Sequence, residues 1–497
     1  MPTGAAAYSS VIVGAGPAGL AVAAELLRLG VPGREILLLD LGPNLEERTA
    51  SREAGDDRFN THGFGGAGLF SDGKLCVPAE ETTLFPELPT MLGTGDAVPN
   101  PHIPEMEAKS LYRYAFKQFC RLDVAIRRPS TDAGSIEALR DRFSQWGVFF
   151  EYYLVYQVEA ADLPLAIGRQ RVRLVDAGVT VSTSTKVVDV VDSGTSGISL
   201  HCIDKHGTMT VIGRTVVLAV GKIGTSWLEA QADRLSLRRD PRPIELGVRV
   251  EVPKSLLDPF TAVHRDLKLF RRSGDRSLTK TFCTCSGGTV VACLYPELDG
   301  AVVLGGYTGV MQTSNTNFAL MTKIDLPGTS AQNYAFSIIR AANLLGSNRP
   351  LVQRLADLKA HRSTTLDAMS RNRIKTTLTD YTLADINLAL PRFIVDATIE
   401  TLDQFEQVIP GLNDGDTIIS APCLEYCYKR YELSRHMETN HPGIYVVGDV
   451  AGYAKGLIAA ASGGILCARD IARRIRGVTS SELLVEARKL GSRKAAY

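Results

Sequence analysis

The chain has 497 residues, 45% of them hydrophobic and 22% charged, which exceeds one ordinary core and excludes an intrinsically disordered protein. Lys plus Arg number 55 against 54 for Asp plus Glu, so there is no long-range basic field and nucleic acid is disfavoured as the main partner. The nine cysteines are odd in number and scattered through apolar runs, as expected of free thiols in a reducing cytosol. Residues 11–24 (VIVGAGPAGLAVAA) are apolar, but no Lys or Arg precedes them and Glu25 and Arg28 follow at once. That pattern is neither a secretory signal nor a membrane span, and the expectation is a soluble cytoplasmic protein.

Residues 8–40 predict a strand, a tight turn, a helix and a second strand. Ser10–Val13 forms the first strand, Gly14-Ala15-Gly16-Pro17-Ala18-Gly19 the turn, Pro17 to Leu29 the helix, and Glu35–Asp40 (EILLLD) the second strand. Gly14 permits the sharp turn, Gly16 lets the backbone approach a pyrophosphate, and Gly19 brings helix and strand together. The helix N-terminus then offers free N–H groups to phosphate oxygens. Asp40 lies 21 positions after Gly19, where a carboxylate receives adenosine ribose hydroxyls. This fingerprint fits NAD or FAD.

A second GxGxxG match, Gly63 to Gly68, follows the polar residues RFNTH and so is no second nucleotide unit. Gly65, Gly66, Ala67 and Gly68 instead allow backbone to lie against a flat ring or a phosphate, with Ser71, Asp72, Gly73 and Lys74 supplying polar contacts. A flexible surface loop is the alternative. Two later strands end in glycine turns: TVVLAVGKIG (215–224), with Gly221, and GIYVVGDVAG (443–452), with Gly448-Asp449.

The ordered set GGAGLFSDGKL, LAVGKIG, RPIELGVRVEVP, KTFCTCSGG and GDVAGYAKGL, within a span from about Tyr8 to Arg474, resembles a bacterial group of FAD-dependent dehydrogenases among the glutathione-reductase-like, two-dinucleotide-fold flavoproteins. The resemblance implies FAD as cofactor, with its pyrophosphate at Gly14, Gly16, Pro17, Ala18 and Gly19 and its ribose at Asp40. It implies flavin contacts at Gly66 to Lys74, at Gly448 and Asp449, and at Gly456, Leu457 and Ala460, where a helix N-terminus points at the flavin pyrimidine. It also implies adenine against the backbone of Val187. Departures from the group include Gly448-Asp449-Val450-Ala451-Gly452 for Gly-Glu-Gly-Ala-Gly and Val220-Gly221-Lys222-Ile223-Gly224 for a Thr-Gly-His-Ser-Ala type turn. Glu425 to Arg430 stands where relatives carry Thr-Arg-Thr-Ser-Ser-Pro, which points to a substrate of this chain's own.

The expected fold class is α/β: a discontinuous Rossmann-like FAD domain (1–80, 155–245 and 415–476) with an inserted α+β substrate domain (246–414). A helical and loop excursion (81–154) and a basic tail (477–497) complete the chain. The tail reads as a surface helix, with a homo-oligomer contact as the second reading. Helices are expected at Lys109–Leu122, at Ser135–Trp146 and through most of 330–409. Tyr453 and Lys455 are candidate catalytic residues, and Tyr428 and Arg430 candidate cavity residues. Cys283-Thr284-Cys285 lacks the Cys-x-x-Cys spacing of redox pairs, so buried thiols are expected. Cys423, Cys427, His436 and His441 lack ligand spacing, so no metal is expected.

The expected activity is FAD-dependent oxidation or dehydrogenation of a small organic substrate. An NAD(P)H-dependent reductase or monooxygenase and a non-catalytic flavoprotein are the alternatives, with no nucleic-acid or membrane partner. Acid denaturation of the purified yellow protein is expected to release FAD, identified by chromatography. Release of FMN, or a colourless protein that takes up no FAD, refutes this.

Overall fold

The computed structural model describes residues 6–54, 57–78, 102–272, 278–295, 298, 300–306, 312–324, 330–425, 429–453 and 455–477. The first sheet runs in the order Thr180–Ser182, Ile36–Leu39, Ala6–Val13, Gly207–Leu218, Ile198–Asp204, Lys186–Asp192. Ile444–Val446 also pairs with Gly207–Leu218. That long strand serves two architectures. Its end, Val216–Leu218, takes Ile444–Val446 in parallel, while Gly207–Gly213 takes Ile198–Asp204 antiparallel. The parallel strands are apolar on successive residues (Val11-Ile12-Val13, Ile36 to Leu39, Val216-Val217-Leu218) because elements cover both faces, and all of these residues are buried. Helices Pro17–Arg28 and Leu457–Arg476 pack together so closely that a Cβ on Gly464 would lie 2.4 Å from the Ala18 carbonyl oxygen.

The second sheet has eight strands, in the order Thr382–Leu383, Leu351–Arg354, Ile418–Glu425, Ile244–Pro253, Asn315–Ile324, Leu278–Ser286, Lys268–Arg272, Phe149–Glu151. Alternation in Ile244–Pro253 sends Ile244, Leu246, Val248, Val250 and Val252 into a core shared with helices Lys254–Val263, Ala331–Gly346 and Arg392–Glu406. The opposite face of that strand carries Arg249 and Glu251, both buried. It is roofed by the hairpin Thr289–Tyr295 and Gly300–Gly306 over a smaller core with Val290, Val303, Ala319 and Met321.

Several expected boundaries shift. Ile418–Glu425, expected in the flavin domain, is an inner strand of the second sheet, paired with Ile244–Pro253 and Leu351–Arg354. The described part of the 81–154 excursion, residues 102–154, divides between two cores. Its helix Glu105–Cys120 buries Ala108, Leu111 and Tyr112 in the first core, whereas helix Ala133–Ser144 and strand Phe149–Glu151 join the second. Leu154–Val158 pairs with Lys74–Val77 and Ile126–Arg127 in a small third sheet. The stretch 330–409 is interrupted by the strand Leu351–Arg354, whose buried Leu351 and Val352 pack into the two cores on either side of the sheet. The Pro-rich 84–90 loop and the basic tail beyond residue 477 lie outside the described residues. Among the described residues no helix is long and apolar enough to cross a membrane.

Buried Asn343 stitches a helix to the roofing hairpin. Its Nδ2 donates to the Ala301 carbonyl (3.0 Å) and its Oδ1 accepts the Ala301 N–H (2.7 Å), replacing a strand partner. Asn343→Ala leaves both backbone groups buried and is expected to cost about 1–3 kcal/mol. Exposed Asn333→Ala on the same helix should stay within about 0.5 kcal/mol. Denaturant unfolding of the two variants checks the difference.

Candidate functional site

The turn Gly14–Gly19 joins the strand Ala6–Val13 to the helix Pro17–Arg28, with extended Gly16 as N-cap and Pro17 in the first turn. No side chain caps this helix, so its first N–H groups face outward at the turn. A Cβ on Gly19 would sit 1.9 Å from the Gly14 carbonyl oxygen, which fixes glycine there. The second glycine segment folds back onto the first. Gly65 N–H donates to the Ala15 carbonyl at 2.9 Å, and Gly66 to Gly68 form a 3-10 turn with Ala67 exposed and both glycines buried. A Cβ on Gly66 would lie 2.7 Å from Gly16 Cα, and one on Gly68 2.7 Å from Leu457 Cδ2. Gly448 begins the third turn, with Asp449 opening the 3-10 turn Asp449–Ala451, and a Cβ on Gly448 would meet Ala18 Cβ at 3.1 Å. Gly456 caps the helix Leu457–Arg476 without side-chain help, and buried Ala460 donates its N–H to the Gly456 carbonyl at 2.9 Å. Three glycine turns far apart in sequence therefore meet at the N-termini of two helices.

The residues present fit FAD. Gly16 has only Gly66 Cα within 4 Å of a built Cβ, at 3.7 Å, and Gly221 and Gly456 have nothing, so backbone at these positions faces open space. Gly14, Gly16 and Gly19 with the helix N-terminus at Pro17 and Ala18 would hold the pyrophosphate, and Gly66 to Gly68 with Gly448, Asp449 and Gly456 the flavin end. Val187 is buried at the start of Lys186–Asp192, just after Thr185, whose N–H donates to the Asp40 carbonyl at 2.8 Å.

Five expected site residues take a different form. Asp40 accepts N–H groups from Ala15 (2.7 Å), Gly42 (2.9 Å) and Gly63 (2.8 Å), using three of a carboxylate's roughly four acceptor sites. Its main duty is to tie three turns together, and a ribose contact is left at most one hydrogen bond. Asp72 and Lys74 turn away from the glycine turns toward the second sheet. Lys74 Nζ lies 2.9 Å from Asp72, 3.1 Å from Asp266 and 2.5 Å from the Thr284 carbonyl. Ser71 Oγ accepts the buried Gly73 N–H at 3.3 Å, a local turn. Tyr453, expected as a proton-handling group, donates its hydroxyl to the Tyr431 carbonyl at 2.5 Å, and burial pushes its pKa up. Arg430 stacks over the Tyr453 ring at 5.2 Å. Tyr428 lies outside the described residues. Lys455 faces Glu425 at 3.6 Å, and Lys222 reaches the same carboxylate oxygen at 2.6 Å.

Sequence reading missed two features. Arg48 is fully buried and donates to the carbonyls of Phe59, Asn60 and Phe64, holding the loop that leads into Gly65. Burial pulls its pKa down to about 10, with Asp40 opposing. Nothing local marks it, because its partners are backbone oxygens. The second feature is the pair Cys283 and Cys285, whose sulfurs lie 3.8 Å apart beside Asp72; the CTC triplet was visible, its surroundings were not.

Gly66 has φ +54, where an Ala is strained by about 1–2 kcal/mol, and its Cβ would also press on Gly16. Gly66→Ala is expected to raise the FAD dissociation constant about tenfold or more while the far-ultraviolet spectrum is kept. Equilibrium dialysis that finds wild-type affinity refutes the placement of this turn against the cofactor.

Two family models match parts of the chain. Residues 243–423 match the family described as FAD-dependent protein, C-terminal domain-like, and residues 375–479 match glucose inhibited division protein A. An uncharacterized protein of Clostridium beijerinckii is 25% identical over 500 residues, covering 93% of this chain and 80% of that protein. Among solved structures, glycine oxidase from Geobacillus kaustophilus superposes with a TM-score of 0.38 at 16% identity, over 94% of this chain and 95% of that one. Quinol fumarate reductase of E. coli does so with a TM-score of 0.45 at 11% identity, over 99% of this chain and 74% of that one. Similarities this loose assign no reaction. The glycine turns and the match of residues 243–423 to an FAD-dependent domain together give FAD as the cofactor of this chain.

Proposed function

We propose that this chain oxidises or dehydrogenates a small organic substrate, such as an amine, an amino acid derivative or a heterocycle, with hydride passing to flavin N5. Oxygen or another acceptor then restores the oxidised cofactor. Bound FAD supplies the two-electron chemistry, and the protein supplies position and polarity.

The observation that carries the reading is the junction at Glu425. This residue ends the second sheet's strand Ile418–Glu425 and is 5% exposed. It meets Lys222, in the turn after the flavin-side strand Gly207–Leu218, and Lys455, beside the helix cap Gly456. The second sheet is thus pinned where the glycine turns converge, and a substrate held there meets fixed charges. Because the Tyr453 hydroxyl is committed to Tyr431, Lys455 is the residue best disposed to hold or move a proton at its Nζ. The sequence contains one strand–GxGxxG–helix unit, already used for FAD, which supports direct reduction by substrate over a resident nicotinamide.

Anaerobic stopped-flow absorbance tests this. Candidate amines, amino acid derivatives and heterocycles are mixed with the holoenzyme, and NADH and NADPH in parallel. Bleaching of the flavin by an organic substrate, with slow or no bleaching by nicotinamides, is the expected result. Fast saturable reduction by a nicotinamide alone overturns the proposal.

A further inference from the structure

Cys283 and Cys285 sit in a β-bulge. The strand Leu278–Ser286 pairs regularly with Asn315–Ile324 up to Phe282 and slips by one residue before Cys285. Cys283 carries the extra turn with φ +49, a conformation that non-glycine side chains rarely adopt. The slip brings the two sulfurs to 3.8 Å. Forming the bond needs an approach of under 2 Å, to about 2.05 Å.

The surroundings are ionic. Arg249 Nη2 lies 3.6 Å from Cys285 Sγ and Lys74 Nζ 3.9 Å from it. Asp72 Oδ2 lies 3.5 Å from Cys283 Sγ and 3.7 Å from Cys285 Sγ. Asp72, Cys283 and Cys285 offer three atoms at metal-ligand spacing. However, Lys74 is already 2.9 Å from that carboxylate, and two buried cations beside the same atoms repel a metal ion and favour a thiolate. The hydrogen bond from Cys283, with Lys74 and Arg249, draws the Cys285 pKa down, whereas the same hydrogen bond and burial push Cys283 up. One thiolate beside one thiol is the arrangement a dithiol needs to oxidise.

The pair is linked to the flavin site through its neighbours. Asp72 and Lys74 follow the glycine turn Gly66–Gly68 in one short loop, and Lys455, next to the helix cap Gly456, lies 5.9 Å from the ring centre of Phe282. We propose that Cys283 and Cys285 form a redox-active dithiol that exchanges an electron pair with FAD. In the oxidising direction, the S–S bond forms as the Cys285 thiolate and the Cys283 thiol give up two electrons and one proton. FAD takes up both electrons and that proton, and the reverse step reduces the disulfide. The proposal rests on the FAD reading and adds a second two-electron store to it.

The test is a count of electrons on the oxidised holoenzyme. Anaerobic dithionite titration is expected to consume about four electrons per bound FAD in the wild type, and about two in C283A and C285A. The second measurement needs no variant. The holoenzyme is equilibrated in dithiothreitol redox buffers, quenched in acid and alkylated, and the peptide containing both residues is weighed. It should switch reversibly between the dialkylated form and a Cys283–Cys285 disulfide. FAD content is measured separately on the same sample. Protein without FAD overturns the flavin reading and this proposal together. A yellow holoenzyme that consumes about two electrons, with both thiols alkylated in every buffer, overturns this proposal alone.

Discussion

The Asp40 carboxylate gathers N–H groups from Ala15, Gly42 and Gly63, and the geometry of the flavin half depends on that gathering. Each such charged hydrogen bond stabilises by about 1.5–3 kcal/mol. They matter more because they join segments that local structure leaves independent: the nucleotide turn, the loop after the second strand, and the start of the second glycine segment. Arg48 completes the arrangement with opposite sign. Its guanidinium collects the carbonyls of Phe59, Asn60 and Phe64, so the loop entering Gly65 is held by an anion on its N–H side and a cation on its C=O side. Two glycine backbones are then brought into contact at Gly16 and Gly66, where a side chain on Gly66 would hold them apart.

Much of this was legible in the sequence, and the reason is locality. The strand–turn–helix at residues 6–28 writes its apolar period, its glycines and its proline within one short stretch, and it forms where expected. The glycine turns after Gly207–Leu218 and Ile444–Val446 are equally local. What the sequence hides is partnership across distance. Spacing located Asp40 at the end of the second strand, but Gly63 comes to it only because the loop folds back. Lys74 looked like a cofactor contact because it follows the glycines, yet its charge is answered by Asp266, whose strand neighbourhood is almost two hundred residues away in the chain. Domain edges fail for the same reason. The run IISAPCLE reads as a buried strand in either sheet, and only its pairing with Ile244–Pro253 decides which.

Burying Lys74 demands compensation, since desolvation of an ammonium costs several kcal/mol. Asp266, Asp72 and the Thr284 carbonyl provide it, and against the penalty of burial the charges of Asp266 and Asp72 hold the Lys74 pKa well above its ordinary value. Asp266 in turn accepts the Tyr153 hydroxyl at 2.5 Å and the Thr284 N–H at 2.8 Å. His264, beside Tyr153, is driven by burial to a pKa of about 4, so it adds no positive charge there near neutral pH. The network spans the flavin-side loop, the small third sheet and the second sheet. Removing one charge from such a set strands the others, a loss of about 3–5 kcal/mol, so its geometry is strongly held.

Arg249 shows how the second sheet accommodates a charge on its inner face. It projects from the middle of Ile244–Pro253, opposite the aliphatic core, and its guanidinium is bound by Asn317 Oδ1 and the Cys283 carbonyl. The roofing hairpin crosses directly above it, and a Cβ on Gly305 would fall 1.6 Å from Nη2, so a larger residue there would displace the guanidinium. The carbonyl that Arg249 takes belongs to the bulged residue itself, whose place in the regular ladder with Asn315–Ile324 is lost where the strand slips. A single guanidinium therefore stabilises the bulge through its backbone and one of the sulfurs that the bulge brings together through its charge. Backbone irregularity and thiol environment share one cause, which is why a triplet that reads as ordinary buried cysteine becomes a matched pair once the strands are in register.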